Sequence, residues 1–261
     1  MFVKIMTFNL RKNTELDGDN AWPYRMKAAV QMVKRHDADM IGIQEGLHGM
    51  LEDLARLLPE YAWIGEGREG GTKGEYAAIL YKKSKWNAGA MGHFSLSEHP
   101  EQLGVKSWNA SHTRMCTWVT LKSQTGDEFA TFNTHLDHLS EEAQHKGMEL
   151  IRERMQTFRN RTALPVVLTG DFNVYPDHAV VTGLEQEGYR NAYSVLRQEN
   201  RDVGATFHDF QGSESEEKEP IDYIFVSPEW EIRHVTIDRE QYEGKYPSDH
   251  YPVIAELIRL R

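Results

Sequence analysis

Short apolar runs of strand length recur along the chain at 3–10, 40–44, 76–81, 115–121, 129–135, 166–169, 221–226 and 252–257. Between them lie stretches of helical period. In 24–35, Met26, Ala29, Val30 and Val33 fall on one stripe. In 140–160, the stripe is Ala143, Met148, Leu150, Ile151, Met155 and Phe158, with Ser140 placed to cap the N-terminus. Segments 47–58 and 179–187 read as two further helices. The order begins strand, helix, strand and then turns to consecutive strands. That predicts an α/β (α+β) sandwich of mixed β-sheets rather than a doubly wound parallel sheet. No Pro/Gly/Ser-rich linker divides the chain, so residues 1–261 are expected to form a single domain. The Gly-rich stretch 65–74 and the acidic stretch 211–219 read as mobile, solvated loops without chemical roles.

The polar residues matter most where the apolar runs stop. Val166, Val167 and Leu168 run into Gly170, so Asp171 and Asn173 stand at the C-terminal end of a buried strand, where α/β sheets hold their chemistry. Asp171 is suited to taking a proton from water or holding a metal, and Asn173 to donating to an anionic oxygen. Asn9 ends the first strand and Glu45 the second. Glu45 suits either a Mg²⁺ site or the acid-favouring start of a helix. His135 closes its strand. Asn133, two residues earlier, should share its face because strand side chains alternate. Asp222 interrupts a strongly β-forming run, either as a water-facing edge residue or as a buried carboxylate that holds a histidine. Asp249 and His250 precede the last strand, where a simple polar turn would also fit. A faint repeat links these segments. Thr7-Phe8-Asn9 recurs as Thr131-Phe132-Asn133, and each is followed by a helix and a strand ending in an acid, Glu45 or Asp171. This suggests two similar halves facing each other across a cleft.

Composition narrows the setting. The apolar fraction is 39%, with 6 Trp and 11 Tyr, which is globular rather than disordered. No run approaches membrane-spanning length, and the opening is too quickly polar for a signal peptide. The lone cysteine, Cys116, excludes an internal disulfide and suits a reducing, cytoplasmic setting. A formal charge of −10 with no Lys/Arg cluster disfavours strong non-specific DNA binding.

Taken in order, Thr7-Phe8-Asn9-Leu10-Arg11, Ile43-Gln44-Glu45, Gly74-Glu75-Tyr76, Asn133-Thr134-His135-Leu136, Gly170-Asp171-Phe172-Asn173, Ile221-Asp222-Tyr223-Ile224 and Ser248-Asp249-His250 resemble the endonuclease/exonuclease/phosphatase superfamily of divalent-metal phosphoesterases. The resemblance spans residues 7 to 250. It implies a four-layered α/β sandwich, two mixed β-sheets face to face with helices on the outside. It also implies roles. Glu45 would hold Mg²⁺ or Mn²⁺ with Asn9 and Asp249. Asp171 would orient or deprotonate the attacking water, and Asn173 would donate to the phosphoryl oxygens. His250 would contact the scissile phosphate with Asp222 fixing its ring. His135 would face the phosphate from the other side, oriented by Glu75, and both imidazoles would be held charged by their carboxylates. Arg11, Arg114 and Asn133 are candidate substrate contacts, whereas Trp108, His112 and His208 are expected to pack. The ending Tyr246-Pro247-Ser248-Asp249-His250 is similar to the deadenylase/nocturnin-like branch and to small bacterial members. The expected activity is hydrolysis of a phosphate ester in a nucleotide, oligonucleotide or small phosphorylated metabolite, by a monomer without a membrane partner. A DNA endonuclease or repair nuclease, and a catalytically inactive binding module on the same fold, are the alternatives.

Overall fold

A computed structural model describes residues 1–260. Its strands are β1 (Phe2–Asn9), β2 (Met40–Gln44), β3 (Tyr61–Ile64), β4 (Ile79–Lys82), β5 (Trp86–Ser95), β6 (Met115–Ser123), β7 (Glu128–His135), β8 (Val166–Asp171), β9 (Arg190–Asn191), β10 (Asp222–Val226), β11 (Trp230–Ile237) and β12 (Val253–Arg259). The α-helices are α1 (Trp22–His36), α2 (His48–Leu57), α3 (Glu141–Thr162), α4 (Ala179–Gln186) and α5 (Ser194–Gln198). Two six-stranded sheets form, ordered β11-β12-β1-β2-β4-β3 and β5-β6-β7-β8-β10-β9. Each is mixed. β1 runs parallel to β2 and β7 parallel to β8, and the other neighbours are antiparallel. Written in these orders, the two sheets have the same sequence of parallel and antiparallel pairings. The repeat between the Asn9 and Asn133 segments thus coincides with a repeat of topology, β1 corresponding to β7 and β2 to β8.

Side-chain alternation decides which layer each residue serves. On β1, Met6 and Phe8 join the apolar cluster of α1 and α2, which covers the outer face of the first sheet. Val3 and Ile5 point the other way, into a cluster shared with Met40, Phe129 and Val167 between the sheets. On β7, Phe132 stacks on Trp118 and meets Phe158 of α3, while Phe129 packs edge-on to Trp86 and Trp230. Both central strands are therefore buried on both faces. α3 keeps Ser140 as its cap, the hydroxyl accepting from the Ala143 amide.

The inter-sheet seam changes character along its length. Val3, Ile5 and Met40 give way to Thr7, Gln44, Asn133 and Thr169, all fully buried. Gln44 Nε2 donates to Asn133 Oδ1 at 2.7 Å, and Asn133 Nδ2 donates across the seam to the carbonyls of Ile43 and Ala78. Thr169 Oγ1 donates to Asn133 Oδ1 at 3.0 Å. The sheets approach closely at Gly42, where a Cβ would stand 2.2 Å from Thr169 Oγ1. Only glycine permits that approach. Beyond this polar layer, the strand ends open as a cleft. No helix among the described residues is long and apolar enough to cross a membrane.

The edge strands β3, β5, β9 and β11 lie outside the segments the sequence pattern marks as strands. β5 is largely exposed and carries two glycines, and β11 shifts register between Ile232 and His234. Neither alternates cleanly. The 65–74 segment is a hydrogen-bonded turn rather than an unpaired loop. Arg68 N donates to Glu75 O, and Gly67 sits where a Cβ would be 2.0 Å from Lys73 O.

Candidate active site

A cavity of about 380 Å³ opens where β1, β2, β7, β8 and β10 end, and Glu45, Glu75, His135, Asp171, Asn173, Asp249 and His250 line it together with Arg11 and Arg114. Residues from both sheets are brought together because the inward faces of β1, β7 and β8 all end on polar side chains.

Asp222 on β10 lies directly opposite Asp171 on β8. Directly paired like charges repel, and here both are buried. His250 resolves the conflict. Its Nδ1 lies 2.8 Å from Asp222 Oδ2, and its Nε2 lies 3.8 Å from Asp171 Oδ2. Burial alone would lower the imidazole pKa, but the charge and hydrogen bond of Asp222 overcome it and raise it to about 10. His250 is therefore an imidazolium fixed by one nitrogen, with the other facing the cleft. Asp171 is pushed up to about 7 by burial and then by Asp222, against the opposing charge of His250. Asn9 Nδ2 donates to Asp171 Oδ2 at 2.9 Å, and the Asn173 amide donates to Oδ1 at 2.9 Å. A carboxylate so held is aimed, and its proton affinity is matched to taking a proton near neutrality.

Asn173 adopts a left-handed conformation, φ 54°, which turns the chain after β8 across the cleft. Its Nδ2 donates to Leu136 O at 3.1 Å, which anchors the amide between the two strand ends. His135 lies 3.5 Å from Asp171 by its Nε2. Burial, followed by the charges of Arg114, His250 and Arg68, drives its pKa well below 6.5, so this imidazole is neutral. That corrects the expectation of two charged histidines. Glu75 does not orient His135. Its two oxygens take Arg68 Nη1 at 2.7 Å and Lys12 Nζ at 3.3 Å, and no hydrogen bond joins it to His135 among the described residues. Asn133 is likewise corrected as a substrate contact. It shares the face of His135, but one layer deeper, fully buried and committed to the seam.

Glu45 and Asp249 contribute carboxylates to the same cleft. Burial would raise the Glu45 carboxyl, but the Lys12 amide, the His250 charge and the Asn9 amide outweigh it and lower its pKa. Asp249 is raised, first by burial, with Glu45 adding to it. Its nearest cation, Arg11 Nε at 3.6 Å, is already bidentate on Asp17. A half-buried and a buried carboxylate that repel each other without a dedicated counterion suit a hard divalent cation, and an all-oxygen donor set fits Mg²⁺ or Mn²⁺. Asn9 is turned so that its Nδ2 faces Glu45 and Asp171 while its Oδ1 accepts from the Arg11 amide. So turned, it orients the carboxylates rather than offering an oxygen to a cation. Asp171, Asp222 and His250 are also close enough to share an ion, their ligand atoms lying within 4.8 Å of one another. A protonated His250 engaged on Asp222 has no lone pair to give, so that trio is an ion-paired relay.

Several residues of the site carry no signal in the sequence. Arg25 is fully buried in α1, and its guanidinium donates to the carbonyls of Leu10, Arg11, Asn20 and Pro247. It ties the end of β1 to the segment that carries Asp249. Asp137 gathers the amides of Ser111, His112, Leu139 and Ser140, which fixes the loop beside Arg114. Lys12 enters the cleft from the irregular segment after β1 and Arg68 from a turn, which no periodicity marks. His112, expected to pack, is instead exposed and lines the rim with His138. His208 packs as expected, stacked on Tyr251 at 3.9 Å.

Residues 6–250 match the model of the Endonuclease/Exonuclease/phosphatase family. A family protein of Bacteroides vulgatus has the same fold, with a TM-score of 0.90, 35% identity and 99% of each chain covered. The mannosyl-6-phosphatase of Bacteroides thetaiotaomicron gives a TM-score of 0.91 at 33% identity, over 98% of this chain and 99% of that one. The human nocturnin catalytic domain with bound sulfate shares the fold at 16% identity, with a TM-score of 0.77 over 99% of this chain and 93% of its own. No curated protein matches the chain. A match from residue 6 to residue 250, joined to relatives a third identical over nearly their whole length, places this chain in the endonuclease/exonuclease/phosphatase family of metal-dependent phosphoesterases.

Proposed function

We propose that the protein hydrolyses a phosphate ester of a nucleotide, a short oligonucleotide or a small phosphorylated metabolite, with water attacking phosphorus. The observation that carries this reading is the buried Asp222–His250–Asp171 relay opening beside Glu45 and Asp249 in one cleft. A cation held by Glu45 and Asp249, with Asn9 setting the Glu45 carboxylate, would polarise a phosphoryl oxygen and lower the pKa of water. Asp171 takes the proton of the attacking water at its carboxylate. His250 donates from Nε2 to the phosphoryl oxygens, and Asp222 holds its ring and keeps its charge as negative charge grows in the transition state. Asn173 donates from the free hydrogen of its Nδ2. His135, neutral, offers a hydrogen bond from the opposite wall. Mannosyl-6-phosphatase activity in a relative supports a small phosphorylated metabolite. So does the cleft volume of about 380 Å³, which is small-molecule size and not a duplex-sized groove.

The test is turnover of p-nitrophenyl phosphate and bis-p-nitrophenyl phosphate by the wild-type protein and by Asp171→Ala and His250→Ala. Each variant should lose roughly a hundredfold or more in kcat while keeping its circular dichroism. Full activity in either variant would refute the roles of Asp171 and His250.

A further inference from the structure

The positive charge of the cleft is concentrated on one wall. On the Asp249 side, Arg11 is matched by Asp17 and lies near Asp249. On the His135 side, Arg68, Lys12 and Arg114 share one cleft carboxylate, Glu75, which already takes Arg68 and Lys12. Arg114 has no such partner. Its closest carboxylate oxygen is Asp137 Oδ2 at 4.0 Å. That oxygen is occupied by the amides of Ser111 and His112 and by the Ser111 hydroxyl. Among the described residues the one hydrogen bond of the Arg114 guanidinium is a 3.4 Å contact of Nη2 with His138 Nδ1. The Nε atoms of Arg114 and Arg68 are both buried without a hydrogen-bond partner among the described residues. Glu75 and Asp137, both already engaged, leave one of the three positive charges in surplus, and Arg114 is only 7% exposed. Burying an arginine whose nearest carboxylate is already engaged is costly, and a planar guanidinium presents parallel donors that suit a phosphate.

We propose that Arg68 and Arg114 form an anion subsite that takes the additional unsubstituted oxygen and charge of a terminal phosphate, so that the enzyme selects phosphomonoesters over phosphodiesters. The proposal rests on the hydrolase reading and narrows its substrate class. A monoester presents three unsubstituted oxygens and up to two negative charges, whereas a diester presents two oxygens and one charge. His250, Asn173 and the Glu45–Asp249 side serve the oxygens common to both. The arginine wall lies on the opposite side, next to the neutral His135, and is the part of the cleft whose charge only the monoester matches.

Two measurements test this. In the first, kcat/KM is compared for p-nitrophenyl phosphate and bis-p-nitrophenyl phosphate with added Mg²⁺ or Mn²⁺. The wild-type enzyme should favour the monoester, and in Arg114→Met and Arg68→Met the monoester-to-diester ratio should fall roughly tenfold or more. A wild-type preference for the diester, or an unchanged ratio in both variants, overturns the proposal. In the second, inorganic phosphate is titrated in EDTA and melting is followed. Phosphate should raise the wild-type midpoint and raise that of Arg114→Met much less. Equal shifts, or none in the wild type, overturn it. If neither ester is turned over while phosphate still binds through Arg114, the hydrolase reading fails and the subsite stands. If the variants do not fold, the wild-type ester preference and the wild-type phosphate shift decide.

Discussion

Replacing Asp222 by Asn removes the charge that keeps His250 protonated, and the consequence for stability follows from the sign of the shift. His250 is raised from 6.5 to about 10 because Asp222 lies 2.8 Å from its Nδ1. A group whose folded pKa is raised contributes stability that is complete below its unfolded value and is lost as pH rises through the folded one. In the metal-free protein the His250 contribution therefore declines between about pH 6.5 and about pH 10. Asp171, raised to about 7, loses stability over a lower window, from its ordinary 3.8 upward. An interval from about pH 7.5 to about pH 9.5 thus isolates His250, and one proton bound over two pH units is worth up to about 2.7 kcal/mol. The assay is urea unfolding in EDTA at both pH values for wild type and Asp222→Asn. Cys116, Tyr193 and Tyr223 are raised chiefly by burial, which the substitution leaves in place, so the difference between the two slopes reports the pair. Wild type should lose about 1–2.5 kcal/mol more than the variant across the interval. Equal losses would refute the claim that Asp222 holds His250 as an imidazolium.

Other outcomes follow from the same geometry. Asp171→Asn should lose roughly a hundred- to ten-thousandfold in kcat. It should also melt higher than wild type at about pH 8 in EDTA, because it removes a buried carboxylate paired against Asp222. A drop in both quantities would contradict this. Gly42→Ala places a Cβ 2.2 Å from Thr169 Oγ1 and 2.5 Å from Asn133 Oδ1. It should cost about 3 kcal/mol in urea unfolding, and a change near zero would mean that the seam yields. Arg25→Met strands four backbone carbonyls and should cost about 3–5 kcal/mol by the same method.

The central strands are legible in the sequence because β1, β2, β7, β8 and β10 are buried on both faces and read as apolar runs. Polar residues ending such runs have few structural uses, which is why Asn9, His135, Asp171 and Asp222 stand out. The edge strands β5 and β11 escape because exposure and a register shift erase their alternation. The arginine wall escapes for another reason. Arg68 arrives on a turn whose glycines announce a reversal but not its direction, and nothing local shows that the acid nearest Arg114, Asp137, is already engaged. Glu75 shows the limit of motif transfer, since its neighbour in the fold is Arg68 rather than His135.

Metal-assisted attack of water on phosphorus is tested most directly by hydrolysis of p-nitrophenyl phosphate in heavy-oxygen water, with Mg²⁺ or Mn²⁺ and again with EDTA. Turnover is expected only with the cation, and the released phosphate should carry one heavy oxygen, as attack at phosphorus requires. Turnover that survives EDTA, or heavy oxygen in the released p-nitrophenol, would contradict this mechanism.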